Sequence, residues 1–298
     1  MTITHLNYKI IVLEAIKRQI IVINPNDYST NILIEDKSGT PDGLVFNPND
    51  QLLYWTNMGA DYDAWDGYIQ HCTLDGKDRG ITVKMGETHT PKQIQLDHRT
   101  NTLYWCDREG MKIERCHIET GKVEFLLDTH EMYLDEDNKN RHCVGIALDI
   151  LNNRIFWTMK GPPKGGTGRL LCAPFDFKDK QAVIDPSQIN VVYDHLPEPI
   201  DLEIDYKNDY LYWSDRGAEP DGNSLNRLQL STLSKKEVVI RGFDETIGFT
   251  VDADHQLAFV ADKMGHVYQA DLQTKEKKVI FTSENGGFTG LIKVSDKS

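Results

Sequence analysis

Apolar and polar positions along this chain alternate in runs about as long as a β-strand, and the runs recur in sets of four. The clearest run is Leu53-Tyr54-Trp55-Thr56-Asn57. It returns as Leu103-Tyr104-Trp105-Cys106-Asp107, Ile155-Phe156-Trp157-Thr158-Met159 and Leu211-Tyr212-Trp213-Ser214-Asp215, with a degraded copy at Ala258-Phe259-Val260-Ala261-Asp262. The central residues of these copies stand 50, 52, 56 and 47 positions apart. A period near fifty with one β-rich unit per repeat predicts a radial β-repeat fold. Before each copy comes an apolar run ending in an acid or amide, at 43–47, 93–97, 145–149, 201–205 and 248–252. Polar turns such as Asn49-Asp50 and Asn152-Asn153 join the two runs, which is hairpin chemistry. Two amphipathic runs follow, as at 68–74 and 79–85, or 266–272 and 277–281. Four antiparallel strands repeated radially make propeller blades.

Residues 43–282 hold five such sets. The N-terminal segment adds three more runs, at 8–13, 19–23 and 30–35, and the fourth run for that blade is supplied from the other end by 290–294. Closing a ring with strands from both termini removes an open sheet edge. The expectation is an all-β, six-bladed β-propeller forming one domain over 1–298, closed by a C-terminal strand pairing into the N-terminal blade.

Residues 104–115, reading Tyr-Trp-Cys-Asp-Arg-Glu-Gly-Met-Lys-Ile-Glu-Arg, are followed by Ile118-Glu119-Thr120-Gly121. This order of motif, short loop, strand and turn resembles the YWTD propellers, the class B repeats of the low-density lipoprotein receptor family. The resemblance spans about 19–294 and implies the fold; activity stays open, because one fold hosts many functions. There is a looser similarity to the senescence-marker and gluconolactonase-type propellers. Tyr and Trp of each copy point to opposite faces of their strand and are expected to fill the spaces between blades. The closing acid or amide is expected to bond turn backbone.

Composition narrows the function. With a formal charge of −13 and no Lys/Arg cluster, nucleic acid is not an expected partner. No apolar run approaches the roughly 18 residues of a membrane helix, so no membrane association is expected. Met1-Thr2-Ile3-Thr4-His5 lacks the basic and apolar regions of a secretory signal. Five cysteines, at 72, 106, 116, 143 and 172, form no C-x-x-C pair. They are expected to be free thiols in a reducing, cytoplasmic setting, without disulfide or zinc.

In the propellers this chain resembles, sites lie on the face formed by loops leading into each first strand and loops leaving each Tyr-Trp strand. The position just before each first strand reads Asp42, Lys92, Val144, Ile200, Ile247 and Thr289. Two places earlier stand Thr40, Thr90, His142, Glu198, Glu245 and Gly287, and the strand starts are Gly43, Gln93, Gly145, Asp201, Gly248 and Gly290. Calcium wants six or more oxygen ligands, and the lactonase-type propellers carry Asp or Asn in the first of these columns. Pro41-Asp42-Gly43-Leu44 looks like their motif, but a lysine and three aliphatics do not; no metal and no cofactor are expected. An apolar pocket with a few convergent polar groups is the usual small-molecule site. Asp42, Lys92 and His142 are expected to do general acid–base work there, with Glu198, Asp201 and Glu245 at the rim and Val144, Ile200 and Ile247 as apolar lining. The alternative for Asp42 and Lys92 is a structural ion pair.

Three loops add to that face. Residues 58–66 bring Tyr62 and Trp65, residues 127–143 are long enough for a lid, and the Gly-rich 161–168 is read as flexible. Arg108 and Arg216 follow the motif acid at two blade exits, where they either grip a carboxylate or bridge blades. No Gly-x-Ser-x-Gly, His-Glu-x-x-His or dinucleotide fingerprint is present. Three functions remain. The first is metal-independent acid–base chemistry on a small organic molecule (isomerisation, cyclisation or hydrolysis). The second is a metal-dependent lactonase-like hydrolysis, and the third is the binding of a protein or peptide. A deep pocket favours the first, and a flat face exposing Tyr62 and Trp65 the third.

Overall fold

Six four-stranded antiparallel sheets ring a central axis in the computed structural model, which describes residues 5–295. Blade one consists of Tyr8–Glu14, Gln19–Ile23 and Thr30–Glu35, with Phe288–Ser295 as its innermost strand. That strand runs antiparallel to the first, Ile11 opposite Ile292, and so closes the ring between the two ends of the chain. Blades two to six follow in order, and their innermost strands are Pro41–Asn47, Pro91–Asp97, Cys143–Asp149, Pro199–Asp205 and Thr246–Asp252.

Each inner strand begins two residues before the apolar run, because its pairing is interrupted by a bulge. Pro41 pairs with Asn57 and Leu44 with Trp55, leaving 42 and 43 between them. The same break falls at 92–93, 144–145, 200–201 and 247–248. A bulge breaks the alternation that marks a strand and re-aims its side chains. Hence the column Asp42, Lys92, Val144, Ile200 and Ile247, expected on loops, lies within the strands.

The aromatic pair performs the packing expected of it. Trp55 packs against Ile11, Leu13 and Ile34 of blade one, while Tyr54 packs against Ile94, Leu103 and Trp105 of blade three. Tyr104 meets Ile146 and Trp157, Phe156 meets Trp213, and Tyr212 meets Phe249 and Val260. Blades two to five thus each send one large ring forward and one back. Blade six sends Phe259 forward and Val260 back, and blade one uses Ile20 and Ile21 in their place. The core is six interfaces between sheets.

The next motif residue ties those interfaces. Thr56 Oγ1 accepts from the Gly43 N–H (2.8 Å) and donates to the Lys92 carbonyl (2.8 Å) of the next blade. Thr158 repeats this with Gly145 N and Ile200 O, and Ser214 with Asp201 N and Ile247 O. Each hydroxyl joins its own bulge to its neighbour's. The backbones come so close that a Cβ on Gly145 would lie 1.9 Å from the Ile200 carbonyl oxygen, so glycine is required there. The closing acid pins loops, as expected: Asp107 accepts from the N–H groups of His89 (2.7 Å), Thr90 (2.7 Å) and Gly110 (3.1 Å).

Two loop expectations are corrected. Residues 127–143 are strapped down instead of being free as a lid. Arg169 donates to both carboxylate oxygens of Glu136 (2.9 and 2.8 Å), Asp137 caps a short 3-10 turn at Asn138–Arg141, and Thr129 Oγ1 donates to Arg141 O (2.7 Å). The glycine-rich loop is held as well, through Lys164 N–H to Glu198 Oε2 (3.0 Å) and Thr167 Oγ1 to Asn140 Oδ1 (2.6 Å). All five cysteines are buried and free. No helix among the described residues is long and apolar enough to cross a membrane.

Candidate functional site

The six bulges point into one cavity of about 230 Å³ at one end of the axis. Its lining takes in the whole first column, Asp42, Lys92, Val144, Ile200, Ile247 and Thr289. It also takes in the position just past each second strand: Ala15, Met58, Arg108, Lys160, Arg216 and Lys263. Two repeat-encoded rings therefore build this mouth, one inside the other. Val144, Ile200 and Ile247 form an apolar cluster of their own.

Lys92 and Lys160 are the two buried cations of the mouth. Lys92 Nζ donates to Asp42 Oδ1 at 3.0 Å and lies against Met58 Sδ. Burial lowers its ammonium from an ordinary 10.5 to about 8, with Asp42 opposing the shift. Asp42 Oδ2 also accepts from Gln93 Nε2 (3.2 Å). Lys160 is likewise lowered by burial to about 8, although Glu198 lies 3.5 Å away. Arg216 donates through Nε (2.8 Å) and Nη2 (2.6 Å) to the same Glu198 oxygen. Arg108 donates to Glu109 (2.5 Å) and lies over the Tyr62 ring, 5.2 Å from its centroid. Lys263 sits 3.4 Å from Glu245.

Of the residues expected at the site, Asp42, Lys92, Tyr62, Arg108, Arg216, Val144, Ile200 and Ile247 line this cavity together. His142, Glu198, Glu245, Asp201 and Trp65 are not among its lining residues. His142 lies behind it, half-buried, with its carbonyl accepting from Lys160 N–H (3.2 Å). Burial lowers its imidazole to about 4; Glu109 pulls the other way, and Arg108 and Lys160 push further down. Glu198 and Glu245 hold the cations from outside. Asp201 lines a second cavity of about 360 Å³ further along the axis, with Glu203 and Lys293, and burial raises its carboxyl well above the usual range. Trp65 stands outside, 52 % exposed and stacked on His89 at 4.7 Å.

Lys160 and Lys263 were not read from the sequence. They occupy the positions of Arg108 and Arg216, but Met159 replaces the motif acid before one, and a degraded motif precedes the other. Alignment on the Trp position alone exposes the column. One possible metal group exists among the described residues, Asp244, Asp262 and His266. Asp262 is already committed: Oδ1 accepts from Met264 N–H (3.0 Å) and His266 N–H (2.9 Å), and Oδ2 from the Tyr268 hydroxyl (3.0 Å). It pins a loop, as Asp107 does.

No family model matches the chain. It is 37% identical over 286 residues to low-density lipoprotein receptor-related protein 1 of Pyricularia oryzae, covering 92% of this chain and 91% of that one. The chain belongs to the low-density lipoprotein receptor-related family. A second fungal relative, 3-hydroxyacyl-CoA dehydrogenase-like protein LAM1 of Cochliobolus heterostrophus, is 34% identical over 264 residues, which are 84% of this chain and 55% of LAM1. The chain thus spans about half of that relative's length. Among solved structures, one from the nidogen/laminin complex superposes with a TM-score of 0.77 at 16% identity, covering 97% of this chain and 99% of that one. The periplasmic gluconolactonase PpgL of Pseudomonas aeruginosa gives 0.62 at 12% identity, covering 97% and 99%. At such identities these two share the family's fold and nothing finer.

Proposed function

We propose that this family member binds a small organic molecule in the mouth cavity and moves a proton there without a metal. The observation that carries this reading is the ammonium of Lys92, enclosed at the head of an apolar-floored cavity and bonded to a single carboxylate. A lysine whose pKa burial brings to about 8 can give and take a proton near neutral pH, and Asp42 is the partner that returns it. Isomerisation, cyclisation and hydrolysis all need such a step. His142, neutral and behind the wall, is a positioning residue for Lys160 in this scheme. The dehydrogenase in the LAM1 name is not adopted: antiparallel four-stranded sheets are unlike the parallel βαβ sheet that cradles a dinucleotide.

The test is a ligand-observed NMR screen of small organic acids, lactones and amides against the wild type, Asp42→Asn and Lys92→Met, with unfolding free energies measured on all three. Hits lost in both variants while the fold persists are the expected outcome. If the pair is a structural ion pair instead, each variant costs about 3–5 kcal/mol and the hits remain. A second reading, a face that binds a protein or peptide, is favoured by the exposure of Trp65 and by the nidogen/laminin likeness. Under that reading Trp65→Ala abolishes binding of peptides selected from a display library and leaves the NMR hits untouched.

A further inference from the structure

The chain as a whole carries a formal charge of −13, yet the mouth is positive. Five of its lining side chains are cationic, Lys92, Arg108, Lys160, Arg216 and Lys263, and only Asp42 is anionic. Behind the lining, Glu109 pairs with Arg108, Glu245 with Lys263, and Glu198 with both Lys160 and Arg216. Five cations therefore face four carboxylates. His142 adds no charge near neutral pH. The unmatched positive charge falls on the trio of Lys160, Glu198 and Arg216, where one carboxylate serves two cations. A partly buried charge without a counter-ion is costly, and an arriving anion relieves that cost. Glu198 occupies Nε and Nη2 of Arg216, which leaves the remaining N–H groups of its fork for a planar acceptor. In the same cavity, on the inner strands of the blades that carry Lys160 and Arg216 and of the next one, Val144, Ile200 and Ile247 offer a surface with no polar side-chain atom.

Building on the reading that the mouth is a small-molecule site, we infer that its ligand is a compact organic carboxylate with an aliphatic body. The carboxylate lies against Lys160 and Arg216, and the body lies on Val144, Ile200 and Ile247. One unmatched charge suits a carboxylate better than a phosphate, which carries about −1.5 to −2 at neutral pH. A carboxylate also matches the planar guanidinium fork.

Calorimetric titration of the whole protein with isovalerate, with its neutral isostere isovaleramide and with inorganic phosphate tests this. Isovalerate is expected to bind at least about tenfold more tightly than the amide, a difference of about 1.4 kcal/mol. Lys160→Met should erase that preference. So should Arg216→Gln, which removes the less buried of the two cations beside Glu198 and keeps the test alive if the Lys160 replacement does not fold. Lys77→Gln, at an exposed surface pair, should leave the preference intact. Equal affinity for acid and amide overturns the anion inference and leaves the small-molecule reading standing. Tighter binding of phosphate than of isovalerate overturns the carboxylate assignment. Failure of all three probes to bind at millimolar concentration overturns the inference, and the small-molecule reading is then decided by the Asp42 and Lys92 variants.

Discussion

Glu114 illustrates how a motif residue acquires its properties from its neighbours. It lies beside the blade-three motif, and its Oε2 accepts from the Trp105 indole N–H (2.8 Å) and the Thr88 hydroxyl (2.7 Å). Burial and, after it, nearby Asp107 raise its carboxyl to about 8, against the pull of those two donors. In the unfolded chain it titrates near its ordinary 4.5. Between pH about 4.5 and 8 the folded protein therefore keeps a proton that the unfolded chain has released, and stability falls as pH rises through that window. Glu114→Gln retains an acceptor for both donors and cannot ionise. Urea denaturation should find the two proteins similar near pH 4.5 and the variant progressively more stable as pH rises, by more than about 1 kcal/mol near pH 8, because only the wild type releases this proton on unfolding. A stability difference independent of pH would contradict the raised carboxyl. The same logic separates Lys92 from an ordinary surface lysine: enclosure sets its chemistry, and part of that enclosure comes from the neighbouring blade, whose Asp42 and Met58 lie against the ammonium.

At the scale of elements, the strand Phe288–Ser295 is the piece on which closure depends. It pairs with Tyr8–Glu14 on one side of the ring and buries Phe288, Leu291 and Val294. At about 1.5–3 kcal/mol for each large apolar side chain, their loss is comparable with the whole stability of a typical protein, about 5–15 kcal/mol. Removing residues 288–298 should therefore lower the melting temperature sharply or abolish cooperative unfolding, as calorimetry would show. An unchanged melting curve would mean that the ring is not held by this strand. The bulges belong to the same scale. They let six strands approach the axis closely enough for the Thr56, Thr158 and Ser214 hydroxyls to span two blades, and they turn one residue per blade into the mouth.

For the molecule as a whole, ring geometry concentrates cations on one axis although the chain is acidic. A dication entering the mouth finds one carboxylate in the lining, Asp42, among five cationic side chains, Lys92, Arg108, Lys160, Arg216 and Lys263. Calcium titrated into chelator-treated protein should thus leave the melting temperature unchanged. Stabilisation of several kcal/mol at micromolar calcium would overturn the metal-independent reading and favour lactonase-type chemistry.

The fold was legible in the sequence because a propeller writes itself as a period. Four strand-length runs every fifty or so residues, a Tyr-Trp pair that must face two neighbours, and a missing run at one end matched by a spare at the other together determined six closed blades. Part of the mouth was legible for the same reason: equivalent positions in a ring converge, so Asp42, Lys92 and the three aliphatics could be placed together. What only the tertiary structure decided is which residues actually reach the axis. Bulges re-aim side chains without leaving a periodic trace, so His142 and Glu198, only two positions from the lining, stand behind it, and Asp201 turns into a second cavity. Lys160 and Lys263 join the lining although their motifs are eroded, since the backbone holds the register after the sequence has lost it. The charge of the mouth, like the pKa of Lys92, belongs to no single segment. It arises where six segments far apart in the chain exclude water from the same small volume.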